Sequence, residues 1–274
     1  MKKTILFIFI FLPTILNFGW GDNGHKLITK QALLLLQYEI NFSDNFKSEI
    51  IQHSVDPDYR KKDDPSEPQK HFIDIDYYKE FLNGKMILSI DSLKKIYGDS
   101  IVTAQGLLPW ATVTTYTNLV SAFKENNKEK ILLYISDLAH YVADGHQPLH
   151  STINYNGQLT SQKGIHFRYE IEMIDRHLND IEKNMKIIPP VYITNVTDFV
   201  FNYIYESNFE VDILLSADKH AAKINNGKYE SDYYNILWFR TKYLTINKFE
   251  QAAFSIASLI YSAWIEANKP QVNY

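Results

Sequence analysis

The sequence predicts an all-α fold, and three observations carry that prediction. Apolar side chains recur at helical spacing in residues 25–40 (HKLITKQALLLLQYEI) and again in 246–267 (INKFEQAAFSIASLIYSAWIEA). Prolines fall where helices begin or end. Two polar pairs stand four residues apart, His140 with Asp144 and His166 with Glu170, so that on a helix each pair projects from one face. A chain of 274 residues can build one sizeable core, and no repeat, low-complexity tract or linker divides it. We therefore expect a single compact multi-helix domain over residues 20–274.

Residues 1–19 (MKKTILFIFIFLPTILNFG) place Lys2 and Lys3 ahead of an apolar run that ends at small Gly19, the layout of a signal peptide. The run is short for a membrane span and is broken by Pro13. Its removal takes two lysines and no acid, moves the formal charge from −4 to −6, and predicts a secreted or periplasmic protein. A net acidic surface disfavours broad capture of duplex nucleic acid, although bound metal would add local positive charge. Cysteine is absent, which is unusual for an exported protein only if it needs stapling, and bound metal could replace disulfides here.

Cleavage after Gly19 would make Trp20 the first residue of Trp20-Gly21-Asp22-Asn23-Gly24-His25. A free α-amine, its carbonyl and His25 can together chelate a metal, while His25 can equally do no more than begin the helix of 25–40. A second helix is expected over 43–54, capped by Ser43. The charged, proline-containing stretch 55–76 (VDPDYRKKDDPSEPQKHFIDID) excludes a long helix. Asp56, Asp58 and His71 are its ligand candidates, and the alternation of Phe72, Asp74 and Asp76 predicts a short extended segment. Pro109 suits the first turn of a helix through TVTTYTNLVSAFKEN, and the next helix, 127–144, brings in His140 and Asp144. Gln147-Pro148 ends it, so His150 sits where the chain turns back. A polar loop (INYNGQLTSQKG) leads to the helix of His166 and Glu170, expected to run to about 184 before Pro189 and Pro190 break the chain.

Five ligand-capable side chains thus fall between His140 and Glu170. A single His-x-x-x-Asp pair is commonly a buried hydrogen bond, but two pairs bracketing a third histidine would bury too many polar groups without a strong partner. A metal cluster accounts for them together.

These residues resemble the zinc-dependent phospholipase C and single-strand-specific nuclease superfamily. The WGxxGH start, Trp20 to His25, and the separation of 15 residues from Asp56 to His71 are similar to the nucleases. The HxxxDxxQPxH core, present as His140, Asp144, Gln147, Pro148 and His150, belongs to both branches. GIHFRYE, ending in Glu170 where the nucleases have aspartate, and the short loop before it look more like phospholipase C. The resemblance implies three zinc ions. One would be held by Asp56, His71, His140 and Asp144, a second by His150, His166 and Glu170, and a third by the Trp20 amine and carbonyl with His25, Asp144 bridging. Asp144, Asp56 and Arg60 are the expected catalytic residues. The nucleases carry an arginine three residues after the loop aspartate, whereas Arg60 lies four after Asp56, so either the loop is altered or Asp58 takes part. His146 is read as supporting the pocket. Phe72 and Asp74 fall where the nucleases stack and bond a base, and the phospholipases carry a similar aromatic and acid there.

Nitrogen and carboxylate donors suit zinc, and closely spaced zinc ions activate water and stabilise a leaving oxygen. The expected activity is phosphodiester hydrolysis. Single-stranded nucleic acids or nucleotides stand slightly ahead of phospholipid headgroups on the strength of the front half, and a non-catalytic zinc-binding protein is third. No stable protein partner is implied, and a monomer is expected.

Overall fold

The computed structural model describes residues 20–272 and 274, and among them every regular element is helical. Residues 1–19, where the signal-peptide expectation falls, lie outside the described residues. Helix α1 (Gly21–Leu35) buries Leu27, Ile28, Ala32 and Leu33 on one face, as a 3.6-residue period dictates. Helix α2 (Asp44–His53) starts at Ser43, whose hydroxyl oxygen accepts the Phe46 N–H at 3.2 Å. The 55–76 stretch folds as the short helix α3 (Asp56–Arg60) and two 3-10 turns, Pro68–His71 and Ile75–Tyr77.

The expected extended segment is only a fragment. Phe72 is extended, but its carbonyl accepts the Leu108 N–H and the Asp74 N–H donates to the Gln105 carbonyl, so a neighbouring loop and helix start take up this backbone where a strand would have been needed. Gly106, at φ 91°, permits the approach, because a Cβ there would meet the Phe72 carbonyl oxygen at 2.1 Å. The short helices α4 (Lys79–Leu82), α5 (Ile90–Tyr97) and α6 (Asp99–Ala104) occupy the interval between these segments.

Helix α7 (Leu108–Glu125) carries Pro109 in its first turn and ends at Asn126, a left-handed residue at φ 49°. Asn127 then caps α8 (Lys128–Gly145) by accepting the Lys130 N–H at 3.0 Å. Two asparagines thus turn the chain, one by tolerating the left-handed conformation and the other by serving the next helix's first turn. Every residue of α8 from Leu138 to Gly145 is buried, enclosed by α7, α1, α2 and helices from the second half of the chain.

Beyond the 3-10 turn Pro148–Ser151 and its loop, α9 (Ile165–Phe167) passes into a π-helical stretch, Arg168–Met173, and then α10 (Ile174–Asn184). Residues 186–193 next run along the last helix, whose side chains take their N–H groups: Lys186 donates to Glu250, Val191 to Ser258 and Ile193 to Ser262. Helices α11 (Val196–Phe209), α12 (Val211–Ile224) and α13 (Ser231–Glu266) close the fold. The last helix begins well before the residue 246 that periodicity suggests. Its early part is rich in aromatic and β-branched residues of modest helix propensity, and burial of Tyr233, Leu237, Thr241 and Thr245 on one face holds it helical. No helix among the described residues is long and apolar enough to cross a membrane.

Candidate metal centre

The buried end of α8 carries the centre. His140 and Asp144 face one way, with Nε2 and Oδ2 3.3 Å apart. From α1, His25 lies against them, its ring stacked on His140 at 4.0 Å between centroids and its Nε2 3.4 Å from Asp144 Oδ1. From the 3-10 turn, His71 Nδ1 reaches Asp144 Oδ2 at 2.9 Å and His140 Nε2 at 3.0 Å. Asp58, from α3, adds Oδ1 at 3.5 Å from His71 Nδ1 and 3.7 Å from His140 Nε2. On the far side His150 Nε2 and His166 Nε2 are 3.1 Å apart, and Glu170 Oε2 is 2.8 Å from the latter. Three buried groups result, His25–His140–Asp144, Asp58–His71–His140 and His150–His166–Glu170, each with its ligand atoms within 4.8 Å of one another.

Backbone and side-chain partners aim these groups. His140 Nδ1 donates to the Ser54 carbonyl at 2.8 Å, His150 Nδ1 to that of His71 at 2.6 Å and His166 Nδ1 to that of Tyr155 at 2.9 Å, which leaves each Nε2 pointing inward. Gln147 donates its amide to Glu170 Oε2 at 2.7 Å and accepts the Leu149 N–H, so the Gln-Pro turn orients a carboxylate as well as ending a helix.

Asp56 is displaced from its expected place. It is half-exposed and pairs with His53, Nδ1 to Oδ2 at 2.7 Å, because the short helix α3 turns Asp56 and Asp58 to opposite faces. Asp58 is the aspartate beside His71 and His140. The register of the cation shifts with it: Lys61, three residues after Asp58, brings its Nζ to 2.6 Å from Asp58 Oδ1. Arg60 turns away to Asp137, at 2.9 Å, and to Glu67. Sequence reasoning passed over Lys61 and Glu67, which sit in a stretch whose many charges read as solvated, and Asp137, a lone acid in a mostly apolar run of α8.

Trp20 is fully buried, its indole N–H donating to the Ala143 carbonyl at 2.7 Å and its ring packed edge-on against Phe249. The bond ties it to the residue preceding Asp144. Gly24 is needed for this, since a Cβ there would lie 2.8 Å from the Trp20 Cβ. Phe72 and Asp74 follow His71 directly, and the Ile73 N–H between them donates to the His150 carbonyl at 2.9 Å. Asp74 Oδ1 is buried without a hydrogen bond, and burial, reinforced by the nearby Asp76 charge, raises its carboxyl to about 7. His146 points elsewhere: its Nδ1 donates to the Val142 carbonyl, its Nε2 accepts from Ser255, and burial with the nearby Lys248 charge lowers its pKa to about 3.

The donor set fits a cation. Imidazole nitrogens face one another at 3.0 and 3.1 Å, although at most one of each pair can donate to the other. Neither nitrogen of His25, nor Asp58 Oδ2, nor Asp144 Oδ1 makes a hydrogen bond. Leaving such atoms buried costs free energy that coordination would recover. Burial alone would raise the Asp144 pKa, yet His140 and His150 hold it well below the usual carboxylate range. Burial also lowers His25 and His71, keeping their lone pairs free of protons. Ligands of nitrogen and oxygen with no sulfur suit zinc.

Comparison with solved structures shows a likeness to the alpha toxin from Clostridium absonum. The match has a TM-score of 0.53 at 14% identity and covers 92% of this chain and 67% of the toxin's. At that identity the likeness concerns the fold alone. No curated protein sequence matches. The sequence profile described as zinc dependent phospholipase C matches residues 24–235, a span that holds every histidine and carboxylate of the three buried groups. The chain therefore belongs to the zinc-dependent phospholipase C family and is a zinc-dependent phosphoester hydrolase.

Proposed function

We propose that this chain is an exported phospholipase of the C type, which hydrolyses the phosphodiester joining a phospholipid's glycerol to its headgroup at a three-zinc cluster. The family match over residues 24–235 carries this reading. Asp58, His71, His140 and Asp144 would hold one ion, His150, His166 and Glu170 a second, and His25 with the α-amine and carbonyl of Trp20 a third. Zinc bound there supplies Lewis acidity for the phosphoryl oxygens and makes water a competent nucleophile at neutral pH. The chain's own residues do the rest. Asp58 has Oδ1 engaged by Lys61 and Oδ2 without a hydrogen-bond partner, so its carboxylate could hold zinc through one oxygen and take a proton on the other as water attacks. The Lys61 ammonium lies close enough to the centre to offset charge on the phosphoryl group. Phe72 and Asp74 are proposed to meet the headgroup, and the unpartnered oxygen of Asp74 would gain a partner there.

Single-stranded nucleic acid is the second reading, supported by the WGxxGH start and by a cation three residues after Asp58. Turnover of phosphatidylcholine vesicles, single-stranded DNA, RNA and 3′-nucleotides by one zinc-loaded preparation separates the two. The proposal expects diacylglycerol and phosphocholine as the dominant products. Faster hydrolysis of DNA, RNA or nucleotides than of the lipid would overturn it in favour of the nuclease reading.

A further inference from the structure

The histidines that enter the centre are not all presented alike. His140, His150 and His166 are each held through Nδ1 by a backbone carbonyl and turn Nε2 inward. His71 is reversed. Its Nδ1 lies among Asp144, His140 and Asp58, while its buried Nε2 faces Glu67 Oε1 at 3.5 Å and makes no hydrogen bond. A neutral imidazole that offers the Nδ1 lone pair must carry its proton on Nε2, and that N–H needs an acceptor.

Glu67 is built to be that acceptor. It is 1% exposed, so its charge must be compensated from within the protein. Tyr141, the residue after His140 on α8, donates its hydroxyl to the same Oε1, Lys70 Nζ lies 2.8 Å from Oε2, and Arg60 approaches Oε1 while anchored to Asp137. A carboxylate buried only to neutralise Lys70 or Arg60 would sit at the surface with them. This one sits behind a ligand ring.

We propose that Glu67 is a positioning residue that fixes His71 as an Nδ1 donor, with Arg60, Lys70 and Tyr141 holding the carboxylate in register. Partners of this kind behind metal-bound histidines set ring orientation and donor strength, and their loss typically costs about 10–100-fold in metal affinity. The inference rests on the zinc reading but not on the identity of the substrate.

The test compares the unaltered mature chain with Glu67→Ala and Glu67→Gln. The readouts are zinc retained per molecule across a graded chelator series, the visible spectrum of the cobalt-substituted forms, and the melting temperature of each chelated form. In Glu67→Ala one ion should be lost at chelator concentrations about 10–100-fold lower, with an altered cobalt spectrum. Glu67→Gln should fall between, because its amide oxygen still accepts the Nε2 proton, and its chelated form should melt as the unaltered one does. Zinc retention and cobalt spectra unchanged in both variants would overturn the proposal. If Glu67→Ala does not fold, Glu67→Gln decides alone: partial loss of retention supports the assignment and unchanged retention rejects it. Zinc content of the unaltered chain is read first. Its absence would sink the metal reading as a whole, whereas zinc that is present and indifferent to Glu67 sinks only this assignment.

Discussion

Asp56 and Asp58 stand two residues apart on a short helix, and successive residues there turn by about 100°, so they face opposite ways. Asp58→Ala should therefore deplete the zinc position it shares with His71 and His140 and abolish turnover. Asp56→Ala should leave both unchanged and alter stability by no more than about 0.5 kcal/mol, as surface substitutions do. Elemental analysis and a diesterase assay on the two variants check this, and equal zinc loss in both would mean the loop is misassigned. From the sequence the two aspartates were both candidates, because spacing to His71 cannot say which way a short helix will face. Asp74 carries a pH signature. Its carboxyl titrates at about 7 when folded and near 4 when unfolded. Between those values the folded chain keeps a proton that the unfolded chain has released, so this residue makes stability fall as pH rises from about 4 to about 7 and not beyond. Asp74→Asn should remove that slope, matching the stability of the unaltered protein near pH 4 and exceeding it at pH 8 by up to about 4 kcal/mol, the equivalent of a pKa moved from about 4 to about 7. Melts at the two pH values with zinc held saturating measure it.

Elements with strong end signals were readable in advance. The Ser43 cap, Pro109 in a first turn and the Gln147-Pro148 stop each marked a boundary that the structure keeps within a residue or two. The first part of α13 and the helices of 90–104 were not, since the former depends on tertiary burial and the latter are too short to show a period. Asn127→Ala should cost about 1 kcal/mol through loss of the α8 cap, read as a shift in urea midpoint. Gly24 matters more than its size suggests. Gly24→Ala sets a methyl 2.8 Å from the Trp20 Cβ and must push the indole off the Ala143 carbonyl, so a cost of about 1–3 kcal/mol and reduced zinc content are expected together. A variant with unaltered zinc and stability would show that Trp20 does not depend on this packing. The same contact gives the WGxxGH pattern a physical meaning that periodicity alone does not supply.

For the whole molecule, metal and fold share one free energy, because donors drawn from α1, α3, α8 and the 165–173 segment converge only when the chain is folded. Each ion present at about 1,000 times its dissociation constant adds about 4 kcal/mol to stability, so chelation should lower the melting temperature sharply and abolish hydrolysis. Calorimetry with and without chelator reads both. If the Trp20 amine is a ligand, one extra residue ahead of it should remove one zinc and most activity while helicity persists, and equal zinc content in the two forms would reject it. The arrangement around Asp144 carries one more consequence. Its Oδ1 faces His25 while its Oδ2 faces His71 and His140, so a single carboxylate borders two of the three groups. Uptake at one position prepays the ordering of that carboxylate for the next, which makes loading cooperative. Hydrolysis would then rise across a narrow threshold of free zinc, with a Hill coefficient above one, and the zinc level around the enzyme would act as its on-switch.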